Sequence, residues 1–235
     1  MIHYHGLPIT PQTAAVYAVK SGHAFVSFMH QAQVAVAVEA ASSFALDNGA
    51  FSAWRRGQKI HWPDYYAWVA ELKKRPGFDF AVIPDVIDGD EDANDRLLEE
   101  WPHGFHVGAP VWHLHESIER LVILAQECPR VCLGSSGQFS KVGSADWWAR
   151  MTEAMDAICV DGLPICKLHG LRMLNPKIFE QFPFASADST NIARNIGIDS
   201  AWKGTYTPMT KDARALDMRQ RIEHYQAAVR WEGRR

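Results

Sequence analysis

The stretch Phe184-Ala-Ser-Ala-Asp188-Ser-Thr-Asn191 is a short apolar run that ends in an aspartate and passes directly into residues typical of helix caps and turns. The same order occurs upstream in Phe44-Ala-Leu-Asp47-Asn-Gly-Ala-Phe51 and in Phe80-Ala-Val-Ile-Pro-Asp85. Barrel enzymes place their catalytic groups at the C-terminal ends of the strands. Three acids at three such ends therefore predict one shared site at the mouth of a barrel.

Short apolar runs alternate with longer amphipathic stretches along the whole chain, which is typical of βα units and a parallel sheet. The predicted strands are residues 2–5, 24–28, 43–46, 80–84, 110–114, 130–133, 165–168 and 184–187. The predicted helices are residues 11–19, 31–41, 63–74, 92–101, 117–127, 145–158, 176–181 and 212–231, and the last of these is basic on balance. The pattern predicts an α/β protein with one domain over residues 1–235, a (β/α)8 TIM-like barrel. An open doubly wound sheet is the alternative.

Composition limits the class of protein further. The chain has 235 residues, of which 47% are hydrophobic and 22% charged, so it can bury the core of one barrel. Its net charge of -3 gives no general attraction to a polyanion. The four cysteines lack CxxC spacing, which favours reduced thiols over a structural zinc site. Without a signal peptide pattern or a long uninterrupted apolar segment, we expect a soluble, cytoplasmic protein with no membrane partner.

The segments that follow the predicted strands form a polar rim rich in glycine. They are Asp47-Asn-Gly-Ala-Phe51, Asp85, His113-Leu-His115, Gly134-Ser-Ser-Gly137, His169-Gly170 and Asp188-Ser-Thr190. Two carboxylates in such a mouth can divide their work if their environments separate their pKa values. One then acts as an ionised nucleophile and the other transfers protons. We predict Asp47 and Asp188 as this pair.

These rim motifs, in this order, resemble the tRNA-guanine transglycosylase superfamily and its phage and bacterial relatives that act on DNA. The resemblance runs from Phe44 to Asn195 and consists of short motifs. It implies a base-exchange glycosyltransferase that replaces guanine in a nucleic acid with a 7-deazaguanine derivative. In that family an aspartate attacks the sugar and forms a covalent intermediate, and Asp188 occupies the matching position. Asp47 matches the second essential carboxylate.

The resemblance also implies the residues that bind the base. Phe51 would stack on it, Asp85 would read its edge, and Gly134 with Ser135 would donate backbone N–H groups to its carbonyl. The remaining predicted binding residues are Trp112, His113, His169 and Gly170. The zinc subdomain of the tRNA-acting members is absent, since no cysteine follows Cys166, and this favours DNA over tRNA.

The expected partners are a nucleic acid and a free 7-deazaguanine base. Basic residues follow several of the rim motifs and are predicted to contact the nucleic-acid backbone: Arg55, Arg56, Lys141, Arg172 and Arg194. A displacement driven by a carboxylate needs no metal and no cofactor, and so we expect neither.

Two other functions fit the same residues. His113 and His115 are two apart on a strand and so face the same way, and with His169 and Asp188 they could form the metal cage of a barrel hydrolase. The chain could instead be a noncatalytic barrel that binds nucleic acid.

Overall fold

A computed structural model of the chain describes residues 1–198, 202 and 206–233. Its strands are β1 (Ile2–Leu7), β2 (His23–Ser27), β3 (Ser43–Asp47), β4 (Phe78–Val82), β5 (Gly108–Ala109), β6 (Val111–His113), β7 (Arg130–Gly134), β8 (Cys159–Val160), β9 (Leu163–Pro164), β10 (Lys167–Gly170) and β11 (Ser186–Ser189). Within the described ranges, nine of these strands form one parallel sheet in the order β5-β4-β3-β2-β1-β11-β10-β7-β6.

The two edge strands of this sheet are consecutive in the chain and are separated by Pro110 alone. Proline has no N–H to give to a ladder, so it interrupts the strand. The Pro110 carbonyl still accepts the N–H of Cys132 at 2.8 Å, and the Ala109 carbonyl accepts the N–H of Ile83 at 2.9 Å. The segment of β5 and β6 thus pairs with β4 on one side and with β7 on the other. When these two short strands are counted as one, the sheet closes into a barrel of eight strands. The predicted TIM-like barrel is confirmed.

Helices follow most of the barrel strands and cover the outside of the barrel. They are α1 (Gln12–Val19), α2 (Val34–Ala40), α3 (Ala50–Arg55), α4 (Trp62–Leu72), α5 (Glu91–Glu99), α6 (Ile118–Glu127), α7 (Ala145–Ile158), α8 (Pro176–Phe179), α9 (Asn191–Asn195) and α10 (Lys211–Glu223), with 3-10 turns at Phe28–Gln33 and Gly137–Phe139. Side-chain caps fix several starts: Ser117 accepts the N–H of Arg120, and Ser144 that of Trp147. No described helix is long and apolar enough to cross a membrane.

The interior of the barrel is filled by side chains that alternate along the strands. The central cluster is Tyr4, Phe25, Ala45, Phe80, Val82, Ala109, Val111 and Cys132. The outward residues of the same strands pack under the helices in two larger apolar clusters. Because side chains alternate with a period of two, the residues two positions beyond Ala45 and Val111, namely Asp47 and His113, belong to the same inward-facing rows.

Three local features differ from the sequence predictions. The last helix ends at Glu223 rather than continuing to residue 231, and the chain beyond it packs against the N-terminal end of β1. There the Trp231 ring stacks on Phe182 with centroids 5.7 Å apart, and the backbone N–H of Trp231 donates to the Gly162 carbonyl at 2.7 Å. The hairpin β8–β9 and the short helices α3 and α9 were not predicted, since each is too short to show a period of its own.

The N-terminal end of the barrel is held by a largely buried ion pair. Arg130 donates two hydrogen bonds to Asp79, from Nη1 to Oδ2 at 3.0 Å and from Nη2 to Oδ1 at 3.1 Å. The Tyr4 hydroxyl donates to the same carboxylate at 2.5 Å, and the Arg130 guanidinium lies 4.0 Å from the Phe80 ring centroid. Burial alone would raise the pKa of Asp79, but the hydrogen bonds from Arg130 and Tyr4 outweigh it and hold this pKa below its usual value.

We expect Asp79→Asn to lower the free energy of unfolding by about 2–3 kcal/mol at pH 7, because Arg130 would lose its counter-charge in a largely buried setting. Since the folded-state pKa of Asp79 is lowered, its contribution is present above its unfolded pKa and is lost as the pH falls. Urea unfolding at several pH values should therefore show the deficit shrinking below about pH 4. Asp88→Asn, on an exposed loop, is the control. Equal stability of wild type and Asp79→Asn at pH 7 would contradict the assignment.

Candidate active site

Four of the titratable side chains at the C-terminal mouth of the barrel, where the ends of the parallel strands meet, belong to the strands themselves. Asp47 ends β3, His113 ends β6, His169 lies in β10 and Asp188 in β11. The barrel places all four near one another, although they come from distant parts of the sequence. His113, His169 and Asp188 are buried, and Asp47 keeps partial exposure.

Asp47 has the most strongly perturbed carboxyl group of the mouth. Its pKa is raised from 3.8 to about 7, chiefly by burial and in addition by the nearby negative charges of Asp188 and Asp85. The Ser27 hydroxyl and the N–H of Gly49 act in the opposite direction but do not cancel the rise. Gly49 can point its N–H this way because it has a φ of 81°, a left-handed conformation that glycine adopts without strain. At neutral pH Asp47 can therefore both hold and release a proton.

Asp188 is held in one orientation by its surroundings. Its Oδ1 atom accepts the backbone N–H of Arg172 at 2.8 Å and lies 3.4 Å from Nε2 of His169. The His169 ring is fully buried, and its Nδ1 atom is 2.8 Å from the Ser186 hydroxyl. Burial lowers the pKa of His169, and Asp188 offsets only part of this change. His169 is thus a neutral imidazole that packs against Asp188 from the interior of the barrel.

Arg172 connects three loops of the mouth. Its backbone has a φ of 59°, which is uncommon for a residue with a side chain and costs free energy. Its Nη2 atom donates to the Ser135 carbonyl at 2.9 Å, and its guanidinium carbon lies 4.0 Å from the centroid of the Phe51 ring. Strain of this kind concentrates at functional sites. The guanidinium also covers one face of Phe51, the ring that was predicted to stack on a base.

A second cluster in the mouth is built around Asn48, a residue of the predicted rim to which the sequence analysis assigned no role. Its Nδ2 atom donates to the Ile83 carbonyl and to Oδ1 of Asp85, each at 2.7 Å. Its Oδ1 atom accepts the N–H of Ala50 at 2.8 Å, which starts α3. The other oxygen of Asp85 lies 2.9 Å from Nε2 of His113. Asn48 thereby fixes Asp85 beside His113.

The remaining predicted binding residues have packing roles that the structure makes visible. Trp112 is fully buried and donates its Nε1–H to the Ser117 carbonyl at 2.9 Å. A Cβ on Gly134 would lie 3.1 Å from Nδ1 of His113, so the glycine makes room for that ring. The Ser135 hydroxyl accepts the Nε1–H of Trp147 at 2.9 Å. A Cβ on Gly170 would lie 2.9 Å from atoms of Met173 and Phe184, so this glycine allows close packing.

The basic residues of the rim are solvent-exposed. They are Arg55, Arg56, Lys141, Arg172 and Arg194. Arg56 Nη2 lies 3.2 Å from Nε2 of His30. A nucleic acid as partner of this rim stays a prediction.

The metal-hydrolase alternative lacks its cage of ligands. The His113 and His115 rings stack on each other with centroids 5.5 Å apart. Both nitrogens of His115 have other partners, the Ser136 hydroxyl at 2.8 Å and the Gly89 carbonyl at 3.0 Å. Over residues 1–198, 202 and 206–233, no group of three or more His, Cys, Asp or Glu side chains could hold a metal ion.

Comparison with known proteins identifies the fold but no family. No family model matches the chain, and no curated protein matches it. Among solved structures, a mutant tryptophan synthase alpha-subunit from the hyperthermophile Pyrococcus furiosus is 12% identical with a TM-score of 0.54, covering 95% of this chain and 96% of that one. A protein from Aquifex aeolicus VF5 is 9% identical with a TM-score of 0.55, covering 94% and 90%. A second mutant of the Pyrococcus subunit is 9% identical with a TM-score of 0.52, covering 95% and 97%.

These likenesses make the chain a TIM barrel and overturn the family suggested by the short motifs. Two of the three structures named above are tryptophan synthase alpha-subunits, and none of the three is named as a transglycosylase. The prediction of a tRNA-guanine transglycosylase relative that exchanges guanine for a 7-deazaguanine base was therefore wrong. At 9–12% identity the likeness establishes the fold alone.

Proposed function

We propose that the protein is an enzyme that carries out general acid–base catalysis in the barrel mouth, with Asp47 and Asp188 as the two proton-transferring carboxyl groups. The observation that carries this proposal is the pKa of Asp47, raised to about 7 beside a second, buried carboxyl group. A catalytic acid or base works best when its pKa lies near the operating pH. A surface carboxylate, with a pKa of about 4, would be almost fully ionised there.

The two groups divide the work because their surroundings differ. Asp47 is set among Ser27, Gly49 and the other mouth carboxylates, and it holds a proton through a large part of the neutral range. Asp188 accepts the N–H of Arg172 on one oxygen, which leaves its other oxygen for a substrate proton. In this arrangement Asp47 donates a proton to one atom of the substrate while Asp188 accepts one from another.

The rest of the mouth orients a polar substrate. The Asp85–His113 pair adds fixed polar groups at the ends of β4 and β6, and Asn48 keeps Asp85 in place. Polar groups that are already fixed lower the entropic cost of orienting the substrate for reaction. Supporting this proposal, two of the three named neighbours in fold are subunits of an enzyme, tryptophan synthase, and barrel enzymes carry out their chemistry at this end of the strands.

We expect the carboxyl carbon of Asp47 to titrate near pH 7. The chain labelled with 13C at aspartate carboxyl groups would be followed by NMR from about pH 4 to about pH 9, and Asp47→Asn would identify the resonance. The expected midpoint is about 7, as for the folded-state pKa. Asp64, an exposed aspartate of α4, serves as the matched control. A midpoint for Asp47 below about 5 would remove the basis of the proposal.

An untargeted screen can identify the substrate. Purified protein would be incubated with a cell metabolite extract, and mass spectrometry would record compounds that disappear and compounds that form. We expect changes with the wild type that are absent with Asp47→Asn and with Asp188→Asn. Identical profiles for all three proteins would argue against an enzyme acting on the extract.

A further inference from the structure

We propose that the guanidinium groups of Arg172, Arg55 and Arg194 form a subsite for an oxyanion, the phosphate or carboxylate group of a small substrate, beside the two catalytic carboxyl groups. This inference rests on the proposed function, because it names the chemical class of molecule that the same mouth would take.

The three arginines have no direct carboxylate partner among the described residues, although the charges of Asp188 and Asp47 act on Arg172. In this part of the chain, no carboxylate accepts a hydrogen bond from the side chain of Arg55, Arg172 or Arg194. Arg120, Arg130 and Arg219, in contrast, each donate to an aspartate or glutamate. The positive charges of Arg194 and Arg55 act unfavourably on that of Arg172, and a bound anion would relieve this repulsion.

The arginines also face the same region of the mouth. The guanidinium carbons of Arg172 and Arg55 lie 4.0 Å and 6.0 Å from the centroid of the same Phe51 ring. Burial has the largest effect on the pKa of Arg172 and lowers it, whereas the charges of Asp188 and Asp47 raise it. The positive charges of Arg194 and Arg55 lower this pKa again, so both groups act on Arg172 at short range. The three arginines come from the segments that follow β3, β10 and β11, the strands whose ends carry Asp47, His169 and Asp188.

Arg172 is prepared for binding before any ligand arrives. Phe51 supports the plane of its guanidinium, and the Ser135 carbonyl accepts its Nη2–H at 2.9 Å. Among the described residues, its Nε and Nη1 donors have no protein acceptor, and the side chain is partly buried but keeps part of its surface exposed. Such a planar fork matches the paired oxygens of a phosphate or a carboxylate, and a fixed fork loses little entropy on binding. The left-handed backbone conformation of Arg172 positions its guanidinium group at the mouth of the barrel.

Electrostatics explains why an anionic substrate needs these residues. The mouth contains Asp47, Asp85 and Asp188, and the chain has a net charge of -3. An anion that enters such a mouth without local positive charge would be repelled. The arginine cluster neutralises this repulsion on the side of Asp188 and gives the anionic end of the substrate one place to bind. The other end is then directed toward Asp47.

The test uses inorganic phosphate and acetate as probes and the variant Arg172→Gly. Glycine adopts the φ of 59° without strain and keeps the backbone N–H that Asp188 accepts, so the variant removes the arginine side chain and preserves the backbone. Binding would be followed by NMR of the arginine Nε–H groups during titration of each anion. Arg75→Gln removes the same charge from the opposite end of the barrel, after α4, and is the matched control.

We expect saturable binding of at least one probe, with a Kd of about 1–10 mM, and resonance shifts at Arg172 and Arg55. Arg172→Gly should weaken this binding by about tenfold or more, and Arg75→Gln should leave it unchanged. Binding of phosphate alone would assign a phosphorylated substrate, whereas comparable binding of acetate would assign a carboxylate. No binding up to about 100 mM, or equal binding by wild type and Arg172→Gly, would overturn the subsite.

The same samples separate this inference from the proposed function. The 13C titration of Asp47 is measured without added anion and does not depend on Arg172 binding a ligand. A midpoint near 7 together with absent anion binding would leave the acid–base proposal standing and remove the subsite. An ordinary midpoint together with anion binding that depends on Arg172 would remove the acid–base proposal and retain the subsite.

Discussion

Asp188→Asn is expected to lower turnover by about 10²–10⁴-fold on the substrate found in the metabolite screen, because an amide cannot accept the substrate proton at neutral pH. Asparagine has the size of aspartate, and its side-chain oxygen can still accept the N–H of Arg172, which Asp188 accepts at 2.8 Å. The orientation of the loop after β10 should therefore be preserved. The measurement is steady-state kinetics of the wild type and the variant, with circular dichroism to verify the fold.

The control for this prediction is Asp88→Asn, which makes the same chemical change on the exposed loop that follows β4. It should retain the turnover of the wild type within about twofold. An Asp188→Asn variant that keeps a tenth or more of wild-type turnover would exclude Asp188 from proton transfer. A rise in KM with unchanged kcat would assign Asp188 to substrate binding alone.

The fold was predictable because its information is local. Each barrel strand is a short apolar run that ends at residues typical of helix caps and turns, and each long helix has a helical period of apolar residues. Strand and helix positions therefore follow from neighbouring residues. All eight barrel strands, with β5 and β6 counted as one, lie within a few residues of their predicted positions. The tail after Glu223 could not be predicted in this way. It leaves the helix to place Trp231 on Phe182, a contact between residues far apart in the sequence.

The candidate site was predictable only in part, for the same reason. Asp47 and Asp188 could be recognised because they end apolar runs, and the barrel then brings them together. Asn48 could not, because its role depends on a hydrogen bond to Asp85 across 37 positions of the chain. The role of Arg172 depends on a left-handed backbone and on the position of Phe51, neither of which the local sequence specifies.

The mistaken family has a physical explanation as well. Its motifs were aspartate, glycine and serine at strand ends, and these are the residues that any barrel mouth needs to end strands, turn the chain and start helices. Such motifs carry information on the fold and much less on the reaction. The same fold supports many reactions through changes in its loops, so function must be argued from the site.

Asp47→Asn should show the cost of keeping the second carboxyl group in this mouth. The pKa of Asp47 is 3.8 in an ordinary setting and about 7 in the folded protein, so folding favours its protonated form. The wild type should therefore lose stability as the pH rises from about 4 to about 7, by up to roughly 1.4 kcal/mol for each pH unit. The uncharged asparagine avoids this loss.

We expect Asp47→Asn and wild type to have similar free energies of unfolding at about pH 4, and the variant to be more stable at about pH 8 by about 2–4 kcal/mol. Urea unfolding between these pH values measures the difference, and Asp88→Asn should show none. Turnover at neutral pH should fall by about 10²-fold or more, because asparagine cannot donate the proton. A variant less stable than wild type at the higher pH would mean that the Ser27 and Gly49 contacts outweigh burial. Greater stability combined with lost turnover would indicate that Asp47 is retained for chemistry at the expense of the fold, as expected of a catalytic acid.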